Sequence, residues 1–407
     1  MSEKIIKEGI LGKIFTSILI LFPILGIYST FMPGITMGDL LLMIIILFLL
    51  IDFIKKDVLV SELLYKPMFF YSILIFWNLL YAILVNNLVQ TQGVIIGNTL
   101  HYLLYCITIA FFIKQYFNIN YAHKFFEIVA VISSVYLIIQ YLLLEIFGYY
   151  LPGVLPFMET INTSIDRMFV LASINKLSRV SSFFAEPSHF AVFGVLFLCI
   201  NLFSFNNQIK KRSHLSGVIV TIAILLSQSS TGIIVVILLW LLWVLKKVIS
   251  FEAKRKKLQY ILILITLFPI LVYFLLNSAV FDVFINRTFS SQGGSAATNR
   301  FGNINIFDYV KGNSIVELFF GKGMIDLIEY IPGFVRSFYF FGLIGVLVTA
   351  FLLLYMFKKG NNLQKIIILI FLILNIGTEI LFGNFILLYF SFSIISYDDS
   401  NEKNLQI

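Results

Sequence analysis

Long apolar runs, separated by short polar breaks, recur from one end of this chain to the other. A helix rising 1.5 Å per residue needs roughly 17 to 25 such residues to cross a ~30 Å hydrocarbon core. Twelve segments meet that pattern, at roughly 14–31, 38–54, 67–85, 97–113, 125–147, 188–205, 215–229, 231–245, 258–276, 339–357, 363–377 and 380–396. The runs are continuous, which excludes the alternating ten-residue strands of an outer-membrane barrel. The seventh and eighth segments, and the last two, are short and separated by only a few residues around Ser229 and Glu379. Each pair therefore reads either as two spans or as one broken or re-entrant element. The first run follows Lys4, Lys7 and Lys13 and ends in STFMPG without a small-residue cleavage site, which reads as a signal anchor.

Composition agrees with the pattern. With 60% hydrophobic and 12% charged residues and a mean hydropathy of +0.97, the chain fits no soluble globular domain. The expected fold is all-α: a polytopic integral membrane protein of about twelve transmembrane helices, a single membrane domain over 1–407.

Basic residues then orient it. With the N-terminus inside, the inner segments hold 21 of the 29 Lys and Arg residues, as the positive-inside rule requires. An even number of spans puts both termini in the cytoplasm of a plasma (inner) membrane protein. Arginine departs from this distribution: five of seven arginines (Arg167, Arg179, Arg287, Arg300, Arg336) fall outside, against three of 22 lysines. Retention needs only charge, so arginine outside points to the planar guanidinium fork, which binds phosphate or carboxylate bidentately. The competing use is a salt bridge to the loops' own Asp166, Glu186, Asp282, Asp308, Glu317, Asp326 or Glu329.

Two outer loops, 148–187 and 277–338, are much longer than the others, and long loops tend to carry function. In the second, Phe301, Ile304, Phe307 and Val310 recur every three residues, which predicts a short amphipathic helix at the outer interface. SSQGGSAAT before it reads as a hinge. FFGKGM, Phe319 to Met324, reads as a tight turn where a backbone passes close to something. It follows no strand of a βαβ unit, so a dinucleotide site is rejected. Cys106 and Cys199 lie inside spans, which favours packing over a disulfide or zinc. His101, His123 and His214 lie near span ends, where packing is the default role. The only adjacent carboxylates, Asp398 and Asp399, are in the C-terminal tail, so no metal ligand set and no cofactor is expected.

The ordered set of Arg179…Phe184-Ala185-Glu186-Pro187-Ser188 entering a span, LLSQSSTGIIVVILL (Leu225 to Leu239), and TNRFGNI…ELFFGKGM…SFYFFGLIGVL (Thr298 to Leu347) resembles bacterial O-antigen and capsular polysaccharide polymerases of the Wzy type, within the O-antigen ligase/polymerase superfamily. The resemblance covers roughly residues 175–350. It implies a GT-C-like membrane fold and a glycosyltransferase on the outer face of the plasma membrane, which the lack of clustered outer carboxylates makes metal-independent. That enzyme passes a growing glycan from undecaprenyl pyrophosphate to a hydroxyl of another lipid-linked repeat unit, building a capsule, exopolysaccharide or O-antigen. The implied partners are the undecaprenyl-pyrophosphate-linked oligosaccharide, membrane lipid, a flippase and a chain-length regulator, with no nucleic acid. This chain has Val335-Arg336-Ser337 where ligases and many polymerases carry a His-Asn or similar pair, so no catalytic histidine transfers to the second loop.

The residues support that chemistry independently. Expelling pyrophosphate from an anomeric carbon develops negative charge that fixed donors can stabilise, and Arg179, Arg300 and Arg336 are the expected pyrophosphate ligands. Pro187 suits the first helical position, whose free N–H groups face outward beside Arg179. Glu186 and His189 are the candidate proton acceptors; equally, Glu186 caps the helix or pairs with Arg179, and His189 packs. Arg287, Asp326 and Glu379 form a second tier, Glu379 because an ionisable residue near membrane depth is a functional suspect. A glycan ligase uses the same donor and stays open. A lipid-linked oligosaccharide flippase or secondary transporter is the other class, though it would show related halves and short loops.

Overall fold

The computed structural model describes residues 9–32, 34–55, 64–85, 89–154, 158–160, 179–204, 213–250, 314–325 and 331–395. These form thirteen helices: α1 (Ile10–Leu25), α2 (Met37–Lys55), α3 (Lys66–Val85), α4 (Val89–Phe111), α5 (Ile113–Tyr116), α6 (Ile119–Phe147), α7 (Pro187–Phe203), α8 (Ser213–Leu226), α9 (Ser230–Ser250), α10 (Ile315–Phe320), α11 (Gly333–Lys359), α12 (Asn362–Gly377) and α13 (Phe385–Ile394). No strand occurs among the described residues beyond one isolated bridge between Ser29 and Thr36.

Six of these helices, α2, α3, α4, α6, α9 and α11, contain a stretch long and apolar enough to cross a membrane. Their outward faces are apolar as well. Leu47, Phe76, Trp77, Phe351 and Leu354 are all exposed, the reverse of a soluble surface and the expected arrangement against lipid. The chain is a polytopic membrane protein. Eleven of the twelve predicted segments overlap a described helix, though the first ends at Leu25 rather than 31 and the fourth begins at Val89 rather than 97; segment 258–276, the expected amphipathic helix around 301–310 and the SSQGGSAAT hinge lie outside the described residues.

Both ambiguous pairs are antiparallel helical hairpins. Trp240 Nε1 donates to Thr221 Oγ1 at 3.0 Å and His214 packs edge-on to Trp243, pairings that only antiparallel α8 and α9 allow. Phe371 meets Tyr389 and Phe390 in the same way across α12 and α13. The last segment begins five residues later than predicted. Thr378 is extended, and Asn375 Oδ1 accepts from Leu381 N at 3.0 Å, which holds 378–384 as a turn.

The chain divides into two compact units, residues 1–126 with 303–407, and residues 127–302. In the first unit, one end is knit by Thr16 with Asn118, Ser17 with Tyr121, and Tyr116 with Asp52. Lys13, Lys55, Lys114 and Lys358 lie on helix turns near this end. The other end gathers the 26–36 connection, the 321–325 turn and the 378–384 turn. There Gly333 N donates to Thr378 O, and Phe382 packs on Tyr102 and Phe340.

In the second unit α7 is the buried centre: fourteen of its residues are shielded. A Cβ on Gly194 would meet Ile224 at 2.9 Å and one on Gly232 would meet Ala191 at 2.5 Å, so α8 and α9 approach α7 through glycines. The glycine of the SSTG sequence is thus a packing contact.

Candidate functional site

The entry to α7 is built from both ends of the 148–187 loop. Gln140, fully buried on α6, donates from Nε2 to Leu151 O at 2.7 Å and accepts from Ser182 N at 2.8 Å, tying the outgoing and returning strands of the loop to one side chain. Ser182 Oγ donates to Ser133 O at 2.7 Å, and Tyr136 donates to Pro152 O at 2.6 Å while stacking on Phe183. Ser182 is held at φ +55°, a conformation that costs a non-glycine residue energy and persists only where surrounding bonds enforce it. Burial, with Tyr136 beside it, pushes the Tyr150 hydroxyl up to about 12, so it stays a neutral phenol.

Arg179 and Glu186 flank this clamp in the chain, both half-buried. Pro187 occupies the first turn of α7, as its fixed φ and missing N–H favour, and Glu186 precedes it in an extended conformation. The Glu186 carboxylate makes no capping bond to the helix; its Oε2 accepts from Ser188 Oγ at 3.1 Å. Of the roles open to Glu186, the helix cap is therefore not the one it takes. His189 follows half-buried in the first turn. The buried Ser227-Gln228-Ser229 turn of the α8–α9 hairpin lies at this same end of α7. At the opposite end, the Lys246 ammonium stands 5.6 Å from the Phe203 ring centroid. Within this unit, the serine-rich end with Glu186 and the lysine end are the two poles of one helix bundle.

In the first unit the structure brings together two residues placed in different tiers. Arg336, in the first turn of α11, forms an ion pair with Glu379 of the α12–α13 turn, and its guanidinium lies over the Phe340 ring. Because α12 and α13 are separate helices, Glu379 sits in a turn rather than inside a span. Glu379 lies outside the two long loops whose acids are the expected arginine partners.

Beside this pair, FGKGM forms the expected close turn. Lys322 N donates to Tyr339 O and Gly323 N to Phe340 O, both at 3.0 Å, where α11 kinks at Gly342. Asn78 donates to Phe320 O at 2.5 Å and Asn98 to Met324 O at 3.0 Å, so side chains of α3 and α4 grip the turn from its other side. Arg287, Arg300 and Asp326 lie outside the described residues.

Sequence reasoning missed Asp39. It is a buried carboxylate on α2, bonded by His101 and Tyr105 of α4, so His101 does more than pack. The signal existed: an acidic residue at the edge of an apolar run is the criterion that singled out Glu379.

Comparison with protein-family models, with curated proteins and with solved structures finds no match to this chain.

Proposed function

We propose that this protein is a polymerase of lipid-linked glycans. It joins undecaprenyl-pyrophosphate-linked repeat units into a surface polysaccharide on the outer face of the plasma membrane. The reading takes the twelve segments as twelve spans of a GT-C-like fold with both termini in the cytoplasm. The carrying observation is the α7 entry: a loop that contains Arg179 and ends in Glu186, a carboxylate that does not cap the helix, has both its ends locked to one buried glutamine. Such preorganisation suits a reaction in which negative charge appears on a leaving phosphate. The lysine pole opposite this entry supports an outward-facing Glu186.

Chemistry follows from the location. Outside the cell no nucleoside triphosphate is at hand, so the energy for each linkage is that of the donor's own anomeric pyrophosphate. The pyrophosphate ligands are to be sought among the outer arginines, and the acceptor is the free sugar hydroxyl of a second lipid-linked repeat.

Deleting the gene and sizing the surface glycan tests the proposal. Single repeat units on lipid are the expected result. Long chains left on lipid would instead make the protein a ligase, and precursors trapped on the cytoplasmic side a flippase.

A further inference from the structure

Asp39 and His101 form a pair with one member buried and the other reaching the surface. The Asp39 side chain is 3% exposed and that of His101 37%. Each carboxylate oxygen of Asp39 has its own set of donors. Oδ2 accepts from Thr36 N at 2.9 Å and Thr36 Oγ1 at 2.7 Å, at the start of α2. Oδ1 accepts from His101 Nε2 at 2.8 Å and from the Tyr105 hydroxyl at 2.9 Å; that hydroxyl also lies 2.6 Å from His101 Nε2.

Thr36 caps α2 and Asp39, its third residue, closes a reciprocal capping box, since Asp39 N donates to Thr36 Oγ1 at 3.1 Å. That accounts for Oδ2 alone; Oδ1 is left to His101 and Tyr105, and a carboxylate buried among apolar helices is costly unless paired. Among the described residues the imidazole is the ion-pair partner of Asp39. A carboxylate bonded to one ring nitrogen fixes the tautomer: Nε2 carries the hydrogen and Nδ1 the lone pair. Tyr105, which packs edge-on to His101 at 4.8 Å between centroids, holds the ring from the side. The pair lies at the end of the first unit that also carries Arg336 and Glu379; Phe382 of the Glu379 turn packs on Tyr102, the residue after His101.

We infer that His101 is the general base that takes the acceptor hydroxyl's proton, with Asp39 as its positioning residue. The inference rests on the polymerase reading and assigns proton transfer to His101 rather than to Glu186 or His189. The hydroxyl oxygen bonds to the donor's anomeric carbon as the bond from that carbon to the pyrophosphate oxygen breaks. The electron pair leaves with undecaprenyl pyrophosphate, and the proton passes to Nδ1 and then to water.

The test uses the full-length protein in detergent, with lipid-linked repeats extracted from cells lacking the gene. Elongation by the wild type comes first; its absence defeats the polymerase reading itself and with it the assignment. Given elongation, His101→Gln, whose amide still bonds Asp39, should lower the maximal rate roughly a hundredfold, the usual contribution of a positioned base, and leave the half-saturating donor concentration unchanged. His101→Ala should be restored in part by added imidazole, and Asp39→Asn should fall between Gln and wild type. Elongation by His101→Gln at the wild-type rate overturns the assignment. So does an inactive His101→Ala that melts like the wild type and gains nothing from imidazole.

Discussion

Gly321 and Gly342 meet backbone to backbone: a Cβ on Gly321 would lie 2.3 Å from Phe340 O, and one on Gly342 would lie 2.3 Å from Phe319 O. Both have positive φ, +74° and +64°. The kink in α11 and the FGKG turn are therefore one structure, since the kink frees carbonyls that the turn's N–H groups take up. Gly321→Ala or Gly342→Ala adds left-handed strain and a backbone overlap that no rotamer relieves. Each should cost about 3 kcal/mol or more and lower the apparent melting temperature in detergent by several degrees. Gly97→Ala, in α4 with nothing within 4 Å of the added Cβ, should leave melting unchanged or raise it. Equal melting of all three variants would refute the interlock.

Periodicity and run length located the helices because membrane spans are selected for apolar length, a local property of sequence. The helix ends were less legible. Asn375 ends α12 by accepting from Leu381 N, and Gly342 kinks α11 against a turn some twenty residues away; both are tertiary effects inside apolar runs. At the site, Pro187 as the first residue of α7 was readable from local rules, and so was the close FGKG turn. The Arg336–Glu379 pair was not, since it joins positions 43 apart in sequence that only the α11–α12 arrangement brings together. Asp39 and His101, 62 apart, escaped for the same reason.

Gln140 is the single side chain that ties both ends of the 148–187 loop. Gln140→Leu keeps the volume but leaves Ser182 N and Leu151 O without their partner; the buried Ser182 N alone costs roughly 1–3 kcal/mol. Elongation should fall sharply as the α7 entry loosens, and added protease should cut the loop faster. Protection and rate equal to wild type would show that the clamp is dispensable.

The two ends of the first unit should face opposite sides of the membrane. Phe31, 80% exposed in the 26–36 connection, belongs to the end with Asp39; Lys359 ends α11 at the other. Both native cysteines are buried, so they give little background. Phe31→Cys should label with a membrane-impermeant maleimide in intact cells, and Lys359→Cys only after lysis. The reverse pattern would invert the topology and remove the outward site.

Arg336 is already bonded to Glu379, so charge, geometry and pairing can be separated at this one position. If the pair is only a strut between α11 and the 378–384 turn, it contributes about 1 kcal/mol, as partly exposed pairs do. Arg336→Gln, Glu379→Gln and the double variant should then lose the same small stability, and Arg336→Lys should elongate normally. If the guanidinium grips pyrophosphate, lysine keeps the charge and loses the second aligned hydrogen bond. Arg336→Lys should then slow elongation on the order of a hundredfold, about 3 kcal/mol in the transition state. Glu379→Gln works in the opposite direction, because it releases the guanidinium from its competitor and should lower the donor concentration needed for half-maximal rate. Arg179→Lys and Arg300→Lys should follow Arg336→Lys, with Arg287→Lys near wild type. Initial rates and chain lengths at matched protein levels give the answer, and normal polymer from Arg179→Lys, Arg300→Lys and Arg336→Lys together would end the phosphate-clamp reading.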